Sequence, residues 1–91
     1  MSQITIEHNV SPAKLDAMHV DSWATWHKEI SVFDWTYDAD EICYILEGEA
    51  VITPDEGESI NIQRGDLVQF PAGMSCTWKI IEDMKKHYIF K

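Results

Sequence analysis

Two glycine-punctuated stretches constrain this chain more than anything else in it. They are Glu41-Ile42-Cys43-Tyr44-Ile45-Leu46-Glu47-Gly48 and Gly65-Asp66-Leu67-Val68-Gln69-Phe70-Pro71-Ala72-Gly73. Each carries a short apolar run of residue types that favour strands, bounded by residues that turn a chain. Glycine tolerates backbone angles that other residues avoid, and proline fixes φ and ends a strand. From residue 26 onward the whole chain keeps this rhythm. Strands are expected over 27–37, 41–46, 49–53, 59–62, 67–70, 77–81 and 85–90. Turns are expected at Asp55-Glu56-Gly57, where Gly57 would take a positive φ, at Arg64-Gly65-Asp66 and at Pro71-Ala72-Gly73. Many short strands between regular turns predict an all-β sandwich or barrel.

The first part is less regular. Residues 3–7 alternate polar and apolar, as a half-buried strand does. Ser11 is placed to cap a short helical turn that starts at Pro12 and runs through Met18. That turn is too short to act as a core helix. Trp23 and Trp26 follow, either as an aromatic plug at one end of a barrel or as part of an oligomer contact. The 91 residues hold one domain. Residues 1–25 form an N-terminal strand and helical turn, and 26–91 form the barrel.

Sixteen acidic residues against seven Lys and Arg give a net charge of −9. Nucleic acids and anionic membranes need clustered basic residues, so neither is expected as a partner. No apolar run is long enough to span a bilayer, and the start lacks a basic region followed by an apolar one. A soluble, cytoplasmic protein is the expectation. Cys43 and Cys76 stand far apart and outside any CxxC spacing, so reduced thiols are expected.

The same two stretches resemble the paired motifs of the cupins. Glu41 and Gly48 match the Glu and final Gly of the first motif, G-x5-H-x-H-x3,4-E-x6-G. Gly65-x5-Pro71-x-Gly73-x2-Cys76 matches the second, G-x5-P-x-G-x2-H-x3-N, up to its His. The match covers roughly residues 33–80 and fails at the histidines. With a three-residue gap the first two histidines fall on Trp35 and Tyr37; with four, on Asp34 and Thr36. The third falls on Cys76 and the Asn on Ile80. The phrase from Phe33 to Asp38, with Cys43 to Gly48, is similar to small single-domain cupins of the (S)-ureidoglycine aminohydrolase type. Those have relatives among ethanolamine-utilisation cupins. The resemblance implies a double-stranded β-helix, a small jelly-roll barrel, frequently paired as a homodimer. Pairing would also hide open sheet edges.

Strand alternation then predicts the interior. If Glu41 points in, Cys43 and Ile45 do too; if Cys76 points in, so do Trp78 and Ile80. The expected lining is Trp35, Tyr37, Glu41, Cys43, Val68, Phe70, Cys76 and Trp78. Val68, Phe70 and Ile80 read as core. Trp35, Tyr37 and Trp78 read equally well as pocket wall or as filler. A metallocupin holds its metal with imidazoles and one carboxylate. Here Glu41, with Cys76 and Tyr37 as further donors, would have to serve without imidazole, so no metal cofactor is expected. His87 on the last strand could still reach the cavity. A carboxylate inside an aromatic chamber must be paired or protonated. Glu41 would therefore be an acid–base group, or a structural residue bonded to Tyr37, Lys79, Lys86 or His87. The two thiols read as small apolar filler, or alternatively as a reactive thiol assisted by a nearby base.

Three functions follow. The first is a metal-free cupin that binds a small polar metabolite among Trp35, Tyr37, Glu41, Cys43, Phe70, Cys76 and Trp78. The second is a hydrolase or isomerase, resembling ureidoglycine aminohydrolase, that uses Glu41. The third is a structural or partner-binding module with Trp23 and Trp26 at its contact surface.

Overall fold

The computed structural model describes residues 3–91. Seven strands, all paired antiparallel, make one continuous sheet. They are β1 (Thr5–Glu7), β2 (Ala24–Lys28), β3 (Ser31–Thr36), β4 (Glu41–Pro54), β5 (Ile60–Gln63), β6 (Leu67–Phe70) and β7 (Ser75–Phe90). An α-helix, α1 (Pro12–Ala17), and a 3-10 turn (Val20–Ser22) lie between β1 and β2, with Ser11 Oγ accepting from the Lys14 amide as the cap of α1. No helix among the described residues is long and apolar enough to cross a membrane.

The sheet is all-β as expected, but its two central strands are longer than the sequence suggests. β4 has 14 residues and β7 has 16. At about 3.3 Å per residue they would run about 46 and about 53 Å if straight. The molecule's longest extent is 34 Å, so both strands must bend. They do so together. The first half of β4 pairs with the second half of β7, flanked by β6 and β2. The second half of β4 pairs with the first half of β7, flanked by β5 and β3. One ribbon thus supplies the middle of two facing layers.

The corner has identifiable parts. Gly48 takes φ +95° and lies so close to β7 that a Cβ would collide with the Asp83 carbonyl oxygen and come within 2.8 Å of Met84 Cα. Asp83 Oδ1 accepts the Ile30 amide at 3.0 Å, holding the break between β2 and β3 at the same level. Register between β4 and β7 slips around Glu47 and Glu49. Across this bulge the inward face of β4 changes from Glu41, Cys43 and Ile45 to Ala50 and Ile52. β7 keeps its phase: Cys76, Trp78, Ile80, Met84 and Lys86 are all buried.

Several expected boundaries therefore change. Segments 41–46 and 49–53 are one strand, as are 77–81 and 85–90, because a bulge bends a ribbon without ending it. The expected strand 27–37 is two, broken at Glu29 and Ile30. β1 is bonded to β6, so the N-terminal segment belongs to the sheet. Gly57 does not take a positive φ; Gly48, Gly65 and Gly73 do. The core between the layers holds Cys43, Ile45, Ile52, Ile62, Val68 and Phe70, all fully buried. Both cysteines are free thiols.

Gly48→Ala should cost at least about 3 kcal/mol, since a positive φ for alanine alone costs about 1–2 kcal/mol and the collision is with backbone. Gly73→Ala, with φ +85° and nothing within 4 Å, should cost only about 1 kcal/mol. Urea denaturation of both variants measures the difference.

Candidate functional site

The loop that follows β3 fixes the first wall residue by its backbone. The Tyr37 amide donates to the Met74 carbonyl at 2.9 Å, and its carbonyl accepts from the Gly73 amide at 2.6 Å. The 71–74 turn, where Gly73 supplies the left-handed conformation, thus clamps Tyr37 from both sides. Asp40 Oδ1 accepts the Ala72 amide at 2.7 Å and braces the same turn. The Tyr37 ring stacks on Phe70 at 4.7 Å, and Phe70 in turn tilts against Trp78 at 5.8 Å.

Above Phe70 lies a cavity of about 190 Å³. Tyr37, Glu41 and Trp78 line it, with Trp35 at its rim, half exposed. Three of the aromatic side chains that complete the wall come from β2, β3 and β7: Trp26, Phe33 and Tyr88. Phe33 and Trp78 are register partners and stack at 6.0 Å, with Trp26 edge-on to both. Phe90, more than half exposed, forms another part of the mouth.

The floor carries a buried ion pair. Lys86 Nζ donates to Glu41 Oε2 at 2.8 Å, and both side chains are almost wholly shielded from solvent. The ammonium also sits 4.8 Å from the Trp26 ring, 4.9 Å from Trp78 and 5.8 Å from Tyr88. These are cation–π distances, and the three rings replace part of the lost hydration. Of the partners expected for Glu41, Lys86 takes the place. Lys86 crosses from Ile45, its register partner on β4, while Glu41 is opposite Phe90. Its four-carbon stem spans the gap.

Two buried polar atoms behind the cavity lining are left over. Tyr37 Oη and Trp78 Nε1 are buried and have no hydrogen-bond partner among the described residues. Burial, reinforced by the charge of Glu41, pushes the Tyr37 hydroxyl far above its usual range, so it stays protonated. Both orphaned groups are therefore donors.

Three residues of the expected binding set lie elsewhere. Cys43, Phe70 and Cys76 are packed in the core beneath the cavity and do not line it, nor does Val68. Burial pushes the Cys43 thiol up to about 12 and the Cys76 thiol up to about 11, which makes both inert at neutral pH. His87 faces away: Thr25 Oγ1 is 3.2 Å from its Nδ1, on the exposed side of the sheet. His8 is bonded to Asp66 at 2.7 Å. Among the described residues no three His, Cys, Asp or Glu side chains come together. With Glu41 engaged by an ammonium and the thiols held protonated, the residues present do not fit a transition metal. Phe33, Tyr88 and Phe90 escaped the sequence reading. Extending the phase of Cys76 and Trp78 along one unbroken β7 would have found Lys86 and Tyr88.

A family model described as the EutQ-like cupin domain matches residues 15–88. The crystal structure of a DUF861 family protein from Thermotoga maritima is 45% identical, covering 98% of this chain and 100% of its own, with a TM-score of 0.94. The EutQ protein of Clostridium difficile is 26% identical over 70% of this chain and 46% of its own, with a TM-score of 0.63. Vicilin of Pisum sativum is 46% identical over 39 residues, 40% of this chain; the chain spans 8% of vicilin's length.

Lys86→Met should cost about 3–5 kcal/mol, because it leaves the Glu41 carboxylate buried without its partner. Adding Glu41→Leu should restore more than half of that, a coupling that denaturation of both singles and the double would reveal. A second expectation concerns alkaline pH. The folded thiols titrate at about 12 and about 11 against an ordinary 9.0, so the unfolded chain releases protons first. Their stabilisation is intact below pH 9 and is lost as pH rises toward 11–12, at about 1.4 kcal/mol per pH unit for each thiol. Urea midpoints at pH 8, 9 and 10 should fall accordingly, and Cys43→Val should flatten the decline.

Proposed function

The chain belongs to the EutQ-like cupin family, and on that footing we propose that it binds a small, flat, oxygen-bearing metabolite in its barrel without a tightly bound metal. The observation that carries this reading is one cavity walled by Trp26, Phe33, Tyr37, Trp78 and Tyr88, with the Lys86–Glu41 pair as its polar lining. Aromatic walls suit a planar molecule. A cavity of about 150 Å³ takes benzene. The 190 Å³ here suits a substituted six-membered ring or its equivalent.

The ion pair supports binding over hydrolysis by a free carboxylate. Glu41 is already engaged by Lys86, so a hydrolase or isomerase reading in which it acts as an unpaired base has less support. The cavity volume likewise speaks against a barrel that is merely filled.

Trp35→Ala separates a binding role from a structural one. Trp35 lines the cavity and is half exposed, so the variant should unfold within about 1 kcal/mol of the parent. Its affinity for an oxygenated ring such as 2-hydroxybenzyl alcohol should fall about fivefold, the loss of one aromatic contact. Quenching of the wall tryptophans reports binding, and urea denaturation reports stability. Unchanged affinity in Trp35→Ala would remove the basis of the proposal.

A further inference from the structure

We infer that Glu41 reads the ligand through Oε1, as a hydrogen-bond acceptor, and so selects uncharged rings that carry a hydroxyl group. This rests on the reading that the cavity binds a small, flat, oxygen-bearing metabolite, and it fixes what kind of oxygen that is.

The two carboxylate oxygens of Glu41 stand in different positions. Oε2 accepts from Lys86 Nζ at 2.8 Å. Oε1 has no hydrogen-bond partner among the described residues, although an ionised carboxylate accepts at both oxygens. Among those residues the sealed side-chain polar atoms without a partner are Tyr37 Oη and Trp78 Nε1, and Oε1 is not one of them. It therefore keeps a window on open space. Glu41 is 4% exposed and lines the cavity, so that window gives onto the chamber. A deeply buried acceptor aimed between aromatic walls is the polar half of a recognition site.

Lys86 is the positioning residue. It holds Oε2, and the Trp26, Trp78 and Tyr88 rings hold the ammonium in turn. With one oxygen pinned, the planar carboxylate has little freedom to turn the other. The pair also sets the charge of the ligand. Ammonium and carboxylate balance each other, so a charged ligand would bring a third, unmatched charge into an apolar enclosure. An anion would face Oε1 itself, and a cation would lie beside Nζ. A neutral group avoids both, and it must donate, because an ionised carboxylate only accepts. An ether oxygen has no hydrogen to give and would leave Oε1 stripped of water without a partner. A hydroxyl on a planar ring supplies the hydrogen while the ring lies among Phe33, Trp35 and Tyr88.

The test compares phenol, anisole, benzoate and benzylammonium at neutral pH, titrated into the parent protein with the tryptophan indole N–H resonances as the readout. These probes share a ring and differ in whether they donate, only accept or carry a charge. Phenol should bind at least about tenfold more tightly than anisole, the usual contribution of a hydrogen bond to an ionised acceptor, and more tightly than either ion. Lys86→Met combined with Glu41→Leu removes the acceptor and, with both charges gone, should keep the fold. Phenol and anisole should bind that double variant within about twofold of each other, whereas an Oε1 that only serves the fold would leave their ratio unmoved. If anisole matches phenol on the parent protein, or if the double variant keeps the preference, recognition by Oε1 is overturned and the binding of oxygenated rings survives. Tighter binding of benzoate or of benzylammonium than of phenol overturns it as well. If neither these four nor 2-hydroxybenzyl alcohol binds, both readings fall.

Discussion

A ribbon too long for the molecule has to fold over, and where it does so Gly48 meets the backbone of Asp83 and Met84 with no room for a side chain. That close approach makes two layers from one pair of strands. It sets which residues face inward on each side of the bend, because β4 changes phase at the bulge and β7 does not. The inward placement of Trp78 and Lys86 on one strand, eight residues apart, follows from that conserved phase. So does the meeting of Lys86 with Glu41, which approaches from the strand that did change.

The chamber combines two features that each cost stability, a buried charge pair and an unfilled volume, and two unmet donors are buried behind its lining. The layer beneath is the opposite, a close-packed set of Cys43, Ile45, Val68 and Phe70 with no exposed surface. Phe70 joins the two, stacked under Tyr37 and tilted against Trp78. A small domain has little stability to spare. Concentrating the unfavourable groups at one end, over a dry core, confines their cost to the region where a ligand would offset it.

Much of the fold was legible in the sequence. Gly65, Pro71 and Gly73 mark real turns, Ser11 caps α1, and alternation correctly set Glu41, Cys43, Cys76 and Trp78 inside. The corner was not, because Gly48 has the composition of a turn and only its distance from Asp83 shows it to be a bulge. The error propagated: cutting β7 at residue 81 hid the phase that points Lys86 inward. Depth was also invisible. Period-two patterning separates inside from outside, yet it cannot tell a side chain that lines a cavity, such as Tyr37, from one packed below it, such as Cys43. The Lys86–Glu41 pair joins residues that are not register partners, and only the length of the lysine stem brings them together.

Because β7 threads both layers in a single phase, it works as a ruler. One residue inserted or lost between Trp78 and Lys86 would rotate every later side chain to the opposite side, sending the ammonium to water and His87 toward the interior. Descendants of this chain can therefore retune the chamber by exchanging side chains, but not by changing the length of that strand. The loop between β4 and β5 is under no such discipline, since lengthening it costs only the slow growth of closure entropy. Variation in length should gather there, and variation in chemistry along the ruler.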